Sequence, residues 1–376
     1  MPPPSLLSRR AVLSSLFVDA TAAQLAAAAA ATLRIERYEL WTVRVPFAER
    51  VREVWMESWK KQKRAQEDYV LNFVRLHTDD GRSGIAESKM PRAETEARLG
   101  QLRGRTVAEY LHDDTLRGIA IAIYDLAAQA AGVPIAKLLN PQARASIVPT
   151  WWSQCFPPAV MASEARLGAA QGYRVHKVKA RPWEDPIAQA AAICAVIPKE
   201  MKVWVDANSS WGTVEKTMEV TKELARFPHY FAIESPIPRQ NLDGYRQLRG
   251  RLPLRLSEHV DGLDLALWTR EKLLDAWIVG AAKLGKYIAD FATQARSAAC
   301  PIWIEHSIDN GIAQVFQAHQ CAAYSALEYS IAITHVLADD CMKEPFTVRQ
   351  GRYRIPTKPG LGVSLDFDAI DRYRVA

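Results

Sequence analysis

Apolar, β-prone runs that end in charged residues recur through the middle of the chain. The clearest of them end, in chain order, at Lys179, Asp206, Glu234 and Glu258. These ends are 27, 28 and 24 residues apart, which is the length of one strand followed by one helix. A continuous apolar run is typical of a parallel strand that is buried on both faces. The pattern therefore predicts a (β/α)8-type barrel, in which the C-terminal ends of all strands face one mouth.

The remaining barrel strands are predicted at residues 147–152, 276–279 and 302–305, and a last, weaker candidate lies near residues 327–329. The barrel domain is expected to span residues 145–345, and a tail over residues 346–376 contains a hairpin-like segment. A hairpin-like segment is not part of a (β/α)8-type barrel, so we expect this tail to return to the first domain.

The region before the barrel has a different pattern. Residues 33–46 and 69–77 are typical of β-strands, and a third strand follows the turn signal Asp79-Asp80-Gly81. Helical patterns come next, and the last of them ends at Gly132-Val133-Pro134. Strands followed by helices predict an α+β domain over residues 33–144.

A long connection joins the first two predicted strands. Residues 47–66, which include Trp55 and Trp59, are predicted to form a loop that acts as a lid. Their basic cluster, Lys60-Lys61-Gln62-Lys63-Arg64, is either a solvated face or a surface that attracts an anionic substrate.

The start of the chain has the pattern of an export signal. In residues 1–32, paired arginines at Arg9 and Arg10 lead into an apolar, alanine-rich run that Asp19 interrupts. Paired arginines are typical of the export of a folded protein. We therefore expect either a periplasmic protein with a twin-arginine-type signal or a cytoplasmic protein with a disordered or helical alanine-rich tail. No other stretch is long and apolar enough for a membrane span.

Composition narrows the classes of function. The 376 residues are 49% hydrophobic and carry a formal net charge of +6, which suits a barrel with a second domain. No basic run is interleaved with aromatic residues, so no nucleic-acid partner is expected. The 5 cysteines are scattered without CxxC spacing, so neither a disulfide framework nor a zinc site is predicted.

Charged residues at the strand ends are the candidate chemistry. Lys177 and Lys179 are two residues apart on one strand, so both side chains are expected to face the barrel interior. The carboxylates at the ends of the next three strands are hard oxygen ligands for a divalent cation. The sequence therefore predicts a metal site with a base beside it. Asn208 either supports the carboxylate of Asp206 or caps the next helix.

In order and spacing, these motifs resemble the enolase superfamily, specifically its mandelate racemase and muconate lactonizing branch. The residues that carry the resemblance are Lys177, Lys179, Asp206, Asn208, Glu234 and Glu258, with support from Asp80-Gly81, Gly84, Glu87, Tyr124-Asp125-Leu126-Ala127, Gly132-Val133-Pro134 and Pro359-Gly360-Leu361-Gly362. The resemblance covers nearly everything after residue 33. It implies an α/β fold, a modified TIM barrel of the (β/α)7β type with an α+β capping domain built from the N-terminal region and the C-terminal tail. It also implies Mg²⁺ held by Asp206, Glu234 and Glu258.

The implied reaction removes the proton α to the carboxylate of a small substrate and passes through an enediolate. That proton is a very weak acid, because its removal places a second negative charge on an anionic group. Mg²⁺ offsets this charge. Lys179 is expected to be the base, because it is the lysine nearer the mouth. Lys177 is expected to lower the pKa of Lys179. The pairing of a lysine base with Mg²⁺ is the general superfamily pattern.

The sixth strand departs from the family pattern. Gly280 stands where relatives carry a second lysine or an aspartate, Asp275 lies at the strand's start, and Lys283 follows three residues later. A base on the opposite face is therefore expected to be absent. His306, after the seventh strand, is the candidate general acid, or else a histidine packed at a helix start.

One base with a separate acid favours a Mg²⁺-dependent dehydratase (lyase) or a one-base isomerase on a small carboxylic acid, such as a sugar acid. The alternatives are a racemase or epimerase, a cycloisomerase, and a catalytically silent barrel retained for binding. The expected assembly is a homo-oligomer. No membrane span or nucleic-acid contact is expected.

Overall fold

The computed structural model describes residues 30–63, 68–280, 286–305, 308–331 and 333–375. Of the expected export segment, residues 1–29 lie outside these ranges. The described part of that segment includes Ala30, which is buried in the core. Within the described ranges, no helix has both the length and the apolar character needed to cross a membrane.

Three antiparallel strands form the first sheet. They are β1 (Ile35–Pro46), β2 (Asp68–Thr78) and β3 (Ser83–Ser88), in the order β1-β2-β3. β2 and β3 are joined through the predicted turn, where Gly81 has a φ of 85° that side-chain-bearing residues rarely adopt.

The connection predicted as a loop is largely helical. Helix α1 (Glu49–Lys61) buries Val51, Trp55, Ser58 and Trp59, which lie on one face at helical spacing. Phe47 stacks on Trp55 with ring centroids 4.9 Å apart. The prediction of a loop was wrong here, because burial of this aromatic face stabilises the helix despite its many charged residues.

The helices of the first domain follow the sheet. They are α2 (Arg92–Leu102), two 3-10 segments (Val107–Tyr110 and Asp114–Ile119), α3 (Ala120–Ala130) and α4 (Ile135–Leu139). Helix α3 is buried along almost its whole length and packs on β3.

Eight parallel strands form a closed barrel. They are β4 (Ser146–Ser153), β5 (Val175–Lys179), β6 (Lys202–Asp206), β7 (Tyr230–Glu234), β8 (Arg255–His259), β9 (Ala276–Gly280), β10 (Ile302–Glu305) and β11 (Leu327–Ile331). β11 pairs with β4 and closes the sheet. The predicted modified TIM barrel with an N-terminal capping domain is confirmed.

A helix follows each of the first seven barrel strands. They are α5 (Pro158–Ala170), α6 (Pro186–Cys194), α7 (Val214–Leu224), α8 (Leu242–Leu248), α9 (Leu265–Arg270), α10 (Lys286–Ala298) and α11 (Gly311–Ala323). Side chains of Asp185, Thr213, Asn241, Asp264 and Asn310 accept hydrogen bonds from first-turn backbone N–H groups. These caps end the loops at the mouth of the barrel.

The C-terminal tail contacts both domains. β12 (Val348–Arg349) and β13 (Arg352–Arg354) form a hairpin, and β13 pairs with the start of β4. Helix α12 (Phe367–Tyr373) packs on β1, where the rings of Phe367 and Trp41 lie 5.3 Å apart.

Asp125 joins the tail to the capping domain. Its carboxylate accepts hydrogen bonds from the backbone N–H groups of Leu361 (2.8 Å) and Ile85 (2.9 Å). Gly360 has a φ of 81°, and a Cβ there would lie 2.1 Å from Asp125 Oδ1. This contact explains the motifs Tyr124-Asp125-Leu126-Ala127 and Pro359-Gly360-Leu361-Gly362, because only glycine fits beside the carboxylate of Asp125.

Candidate active site

Two lysines on β5 lie at the centre of a charged cluster at the barrel mouth. Lys177 is fully buried, and its Nζ lies 2.8 Å from Glu234 Oε1, 2.7 Å from Glu305 Oε2 and 3.3 Å from Asp206 Oδ2. Lys179 contacts Asp206 Oδ2 and lies 4.0 Å from Glu305 Oε1. The structure therefore brings together four predicted residues and adds Glu305.

The lysines and carboxylates of the cluster shift one another's pKa values. Burial alone lowers the pKa of Lys177, but the carboxylates of Glu234, Glu305 and Asp206 outweigh burial and raise it. Burial raises the pKa of Asp206, yet Lys179 and Lys177 hold it well below its usual range. Lys177 is therefore an ammonium ion whose charge offsets the buried carboxylates.

Neighbouring groups hold two of the carboxylates in place. The backbone N–H of Asn208 and its Nδ2 donate to Asp206 Oδ1 at 2.9 Å and 2.7 Å, so Asn208 supports this carboxylate. Trp204 Nε1 donates to Glu234 Oε2 at 3.1 Å. These contacts orient the two side chains toward the barrel interior.

His259 is a member of the cluster that sequence reasoning missed. Its Nε2 lies 3.3 Å from Glu234 Oε1 and 3.4 Å from Glu305 Oε2. Burial lowers the pKa of His259, but hydrogen bonds to the two glutamates outweigh burial and raise it to about 10. Potential ligand atoms of Glu234, His259 and Glu305 all lie within 4.8 Å of one another. Glu305 ends its strand in charge as the predicted residues do, and that signal could have identified it.

Glu258 does not lie with the other carboxylates. Its Oε1 accepts a hydrogen bond from Ser235 Oγ at 2.7 Å and one from the backbone N–H of His259, also at 2.7 Å. Its Oε2 accepts from the hydroxyl of Tyr245 on α8. Burial raises the pKa of Glu258, although the hydrogen bonds from Tyr245 and Ser235 lower it. Of the three predicted carboxylates, Asp206 and Glu234 therefore contact Lys177. Glu258 contacts Tyr245 on α8 instead, because successive side chains of β8 point to opposite faces.

The sixth barrel strand, β9, ends at Gly280, and a side chain from a neighbouring loop lies in the space beside this glycine. An ideal Cβ at Gly280 would lie 3.7 Å from Asp261 Oδ2, the one contact within 4 Å among the described residues. The N–H of Gly280 donates to the same oxygen at 3.2 Å, and Tyr287 donates to Asp261 Oδ1. A carboxylate from the loop after β8 therefore lies beside the position that has no side chain. Lys283 and His306 lie outside the described residues, so their roles stay predictions.

Helix α1 closes one side of the mouth. Trp55 on this helix packs against Trp152 of β4, with ring centroids 5.5 Å apart, and Trp152 is the β-ladder neighbour of Lys177. Arg50 holds the helix to the barrel through Glu164, with Nε and Oε1 2.9 Å apart. The side of the site next to the lysines is therefore apolar and aromatic.

The donor set of the mouth suits a divalent cation. Three carboxylates meet in one buried cluster, and hard oxygen donors of this kind bind Mg²⁺ or Mn²⁺. Asp206 and Glu234 belong to this cluster, whereas the oxygens of Glu258 accept hydrogen bonds from Ser235 and Tyr245.

Comparison with known proteins gives matches along most of the chain. Residues 160–369 match the family described as enolase C-terminal domain-like. Muconate cycloisomerase 1-2 of Acinetobacter lwoffii is 26% identical over 68% of this chain and 69% of its own length. Arabinonate dehydratase of Saccharolobus solfataricus is 26% identical over 69% of this chain and 72% of its own. A racemase from Streptomyces coelicolor A3(2), solved with bound magnesium, has a TM-score of 0.72 at 21% identity and covers 91% of this chain and 100% of its own.

Proposed function

The chain belongs to the enolase superfamily, in its mandelate racemase and muconate lactonizing branch, and on that premise we propose that it removes the proton α to the carboxylate of a small organic acid. The proposed reaction is a dehydration or a one-base isomerisation of a sugar acid. The observation that carries it is the convergence of two lysine ammonium groups with Asp206 and Glu234 at the C-terminal ends of three adjacent barrel strands. The dehydratases and cycloisomerases among its relatives support this choice.

Lys179 is the proposed base. Its side chain is 11% exposed, whereas that of Lys177 is fully buried, so Lys179 is the lysine that an incoming substrate can reach. As the base, Lys179 takes the α proton on Nζ, and the carboxylate of Asp206, which it contacts, holds that nitrogen in place and offsets the positive charge that forms on it.

Lys177 has a different proposed role. Its ammonium contacts three carboxylates below Lys179, so it offsets their negative charge and stabilises the cluster when no cation is bound.

Asp206 and Glu234 are the proposed holders of a divalent cation, with Asn208 and Trp204 fixing their orientation. When bound, the cation would offset the negative charge that develops on the substrate carboxylate as the α proton leaves. The apolar wall of Trp55 and Trp152 would exclude water from one side of that carboxylate and strengthen the electrostatic interaction.

A screen for proton exchange tests the proposal on many candidate substrates at once. The purified protein with Mg²⁺ is incubated in deuterium oxide with a library of aldonic, uronic and N-acylated amino acids, and ¹H NMR follows loss of each α-proton signal. We expect exchange or dehydration with at least one acid class, and loss of that activity with excess chelator. Absence of exchange in every member with either Mg²⁺ or Mn²⁺ would favour the binding-only alternative.

A racemase or epimerase is the second candidate, and Asp261 is the observation that favours it. β9 lies opposite β5 in the closed barrel, and Asp261 lies beside the end of β9. A carboxylate there can exchange a proton with the face of the substrate that Lys179 does not reach. Asp261→Asn should abolish inversion while leaving exchange by Lys179 intact if the enzyme uses two bases. In a one-base enzyme, the same substitution should leave the stereochemical outcome unchanged.

A further inference from the structure

Three buried polar atoms on the aromatic side of the mouth have no hydrogen-bond partner among the described residues. They are Nε1 of Trp55, Nε1 of Trp152 and Oγ1 of Thr150. The three residues are 1%, 3% and 1% exposed. A buried polar atom without a partner is costly, and nearly all such atoms in folded proteins have one. These three atoms therefore indicate a group that binds beside them.

All three atoms belong to one side of the mouth. Trp152 is the β-ladder neighbour of Lys177, whose Nζ contacts Glu234 in the mouth cluster. Thr150 precedes Trp152 by two residues on β4, so both side chains lie on the inner face of the barrel. Trp55 reaches this side from helix α1, with its ring centroid 5.5 Å from that of Trp152. The cap and the barrel thus each contribute to the same wall.

Trp151 shows that an unpartnered indole alone does not indicate a site. Its Nε1 also has no partner within the described ranges. Because it alternates with Trp152 along β4, this side chain points away from the barrel interior. Its ring stacks there on His335 with centroids 3.7 Å apart and meets Tyr173 at 5.2 Å. Trp151 therefore lies outside the mouth and provides a matched control.

The chemistry of the three atoms selects an uncharged, hydroxylated group. An indole N–H can only donate, whereas the hydroxyl of Thr150 can donate and accept. A ligand hydroxyl complements both kinds of partner, since its oxygen accepts and its O–H donates. An ionised carboxylate would need a cation, because burying an unpaired charge is costly. The Arg50 guanidinium of helix α1 is already engaged by Glu164 at 2.9 Å and by the carbonyl of His335 at 2.8 Å.

We propose that Trp55, Trp152 and Thr150 form a subsite for the hydroxyl groups that a sugar acid carries beyond its α-carbon. This inference rests on the proposed function, in which Lys179 takes the α proton. It narrows the substrate to an aldonic acid, whose far end is uncharged. A dicarboxylic acid would bury a second charge at this wall, and an acid without further hydroxyls would leave the donors unpaired.

Three matched six-carbon acids test the subsite in the full-length, Mg²⁺-loaded protein. They are D-gluconate, D-glucarate, which has a second carboxylate in place of the terminal alcohol, and 2-hydroxyhexanoate, which lacks the other hydroxyls. ¹H–¹⁵N NMR follows the indole N–H signals, which are assigned through Trp55→Phe, Trp152→Phe and Trp151→Phe. We expect D-gluconate to shift the signals of Trp55 and Trp152 and to leave that of Trp151 in place. It should bind at least about 10-fold more tightly than the other two acids.

The variants separate hydrogen bonding from packing. Phenylalanine keeps an aromatic ring without the N–H, and valine keeps the shape of threonine without the hydroxyl. Trp152→Phe and Thr150→Val should each reduce the preference for D-gluconate over 2-hydroxyhexanoate by about 3- to 10-fold. Trp151→Phe should leave this preference unchanged.

Several outcomes would overturn the inference. One is binding of D-gluconate with both indole signals unmoved, which means that the donors bind only water. Others are an equal or tighter affinity for D-glucarate, an unchanged preference in both Trp152→Phe and Thr150→Val, and failure of D-gluconate and every other aldonic acid of the library to bind. In each case, α-proton exchange with another acid leaves the proposed function standing. Binding with the expected shifts, but without exchange of any acid in the library, would keep the subsite and overturn the proposed function.

Discussion

Replacing Lys177 by methionine should destabilise the protein strongly. The side chain is fully buried, and its Nζ is within 3.3 Å of three carboxylates. Methionine has a similar length and keeps the packing, so the change chiefly removes the charge. Loss of one partner from a buried ion pair costs about 3 to 5 kcal/mol. Because Lys179 and His259 remain beside the same carboxylates, we expect the lower end, about 3 kcal/mol.

The assay is urea unfolding at pH 7 without divalent cations. Lys202→Met, on the exposed start of β6, is the control and should change the free energy of unfolding by no more than about 0.5 kcal/mol. In Lys177→Met the folded-state pKa of the orphaned carboxyls is raised, so the deficit should shrink as the pH falls toward 5. Mn²⁺ should also restore part of the lost stability. A deficit below about 1 kcal/mol, or one that is unchanged by pH and Mn²⁺, would refute the role given to Lys177.

Two further predictions concern the contacts between domains. Burial and Asp309 raise the pKa of Glu87 to about 8, against an ordinary value of 4.5, so its stabilising contribution should be complete below about pH 4.5 and lost as the pH rises through 8. Glu87→Gln should flatten this fall in urea unfolding measured from pH 5 to 8, and an unchanged slope would contradict the assignment. Gly360→Ala should lower thermal stability markedly, because its Cβ would lie 2.1 Å from Asp125 Oδ1. Gly100→Ala should not, because its Cβ meets no atom within 4 Å among the described residues outside its own helix and chain neighbours.

The barrel, and the positions of two candidate site residues at its mouth, could be predicted because both depend on local patterns. Apolar runs at intervals of one strand and one helix identify the strands, and the residue that ends such a run lies at the mouth. Asp206 and Glu234 follow this rule directly. On β8 the same rule selects Glu258, but a shift of one residue places His259 on the inner face instead.

The other differences between the predictions and the structure arise from contacts between residues that are far apart in the sequence. Helix α1 forms because Trp55 meets Trp152 of β4, almost one hundred residues away. Asp261 fills the space beside Gly280 from a different loop. Neither contact has a periodic signal in the sequence. The role of His306 stays a prediction, since that residue lies outside the described part of the chain.

Solvent deuterium exchange by Lys179→Ala tests the central claim most directly. An acid that exchanges its α proton with the wild-type enzyme is used with Lys179→Ala and with Lys199→Ala, an exposed lysine, as the control. Mn²⁺ titration confirms that each variant still binds metal. We predict that Lys179→Ala loses exchange and turnover while Lys199→Ala keeps both. Wild-type exchange in metal-loaded Lys179→Ala would show that the base is another group and would contradict the proposed mechanism.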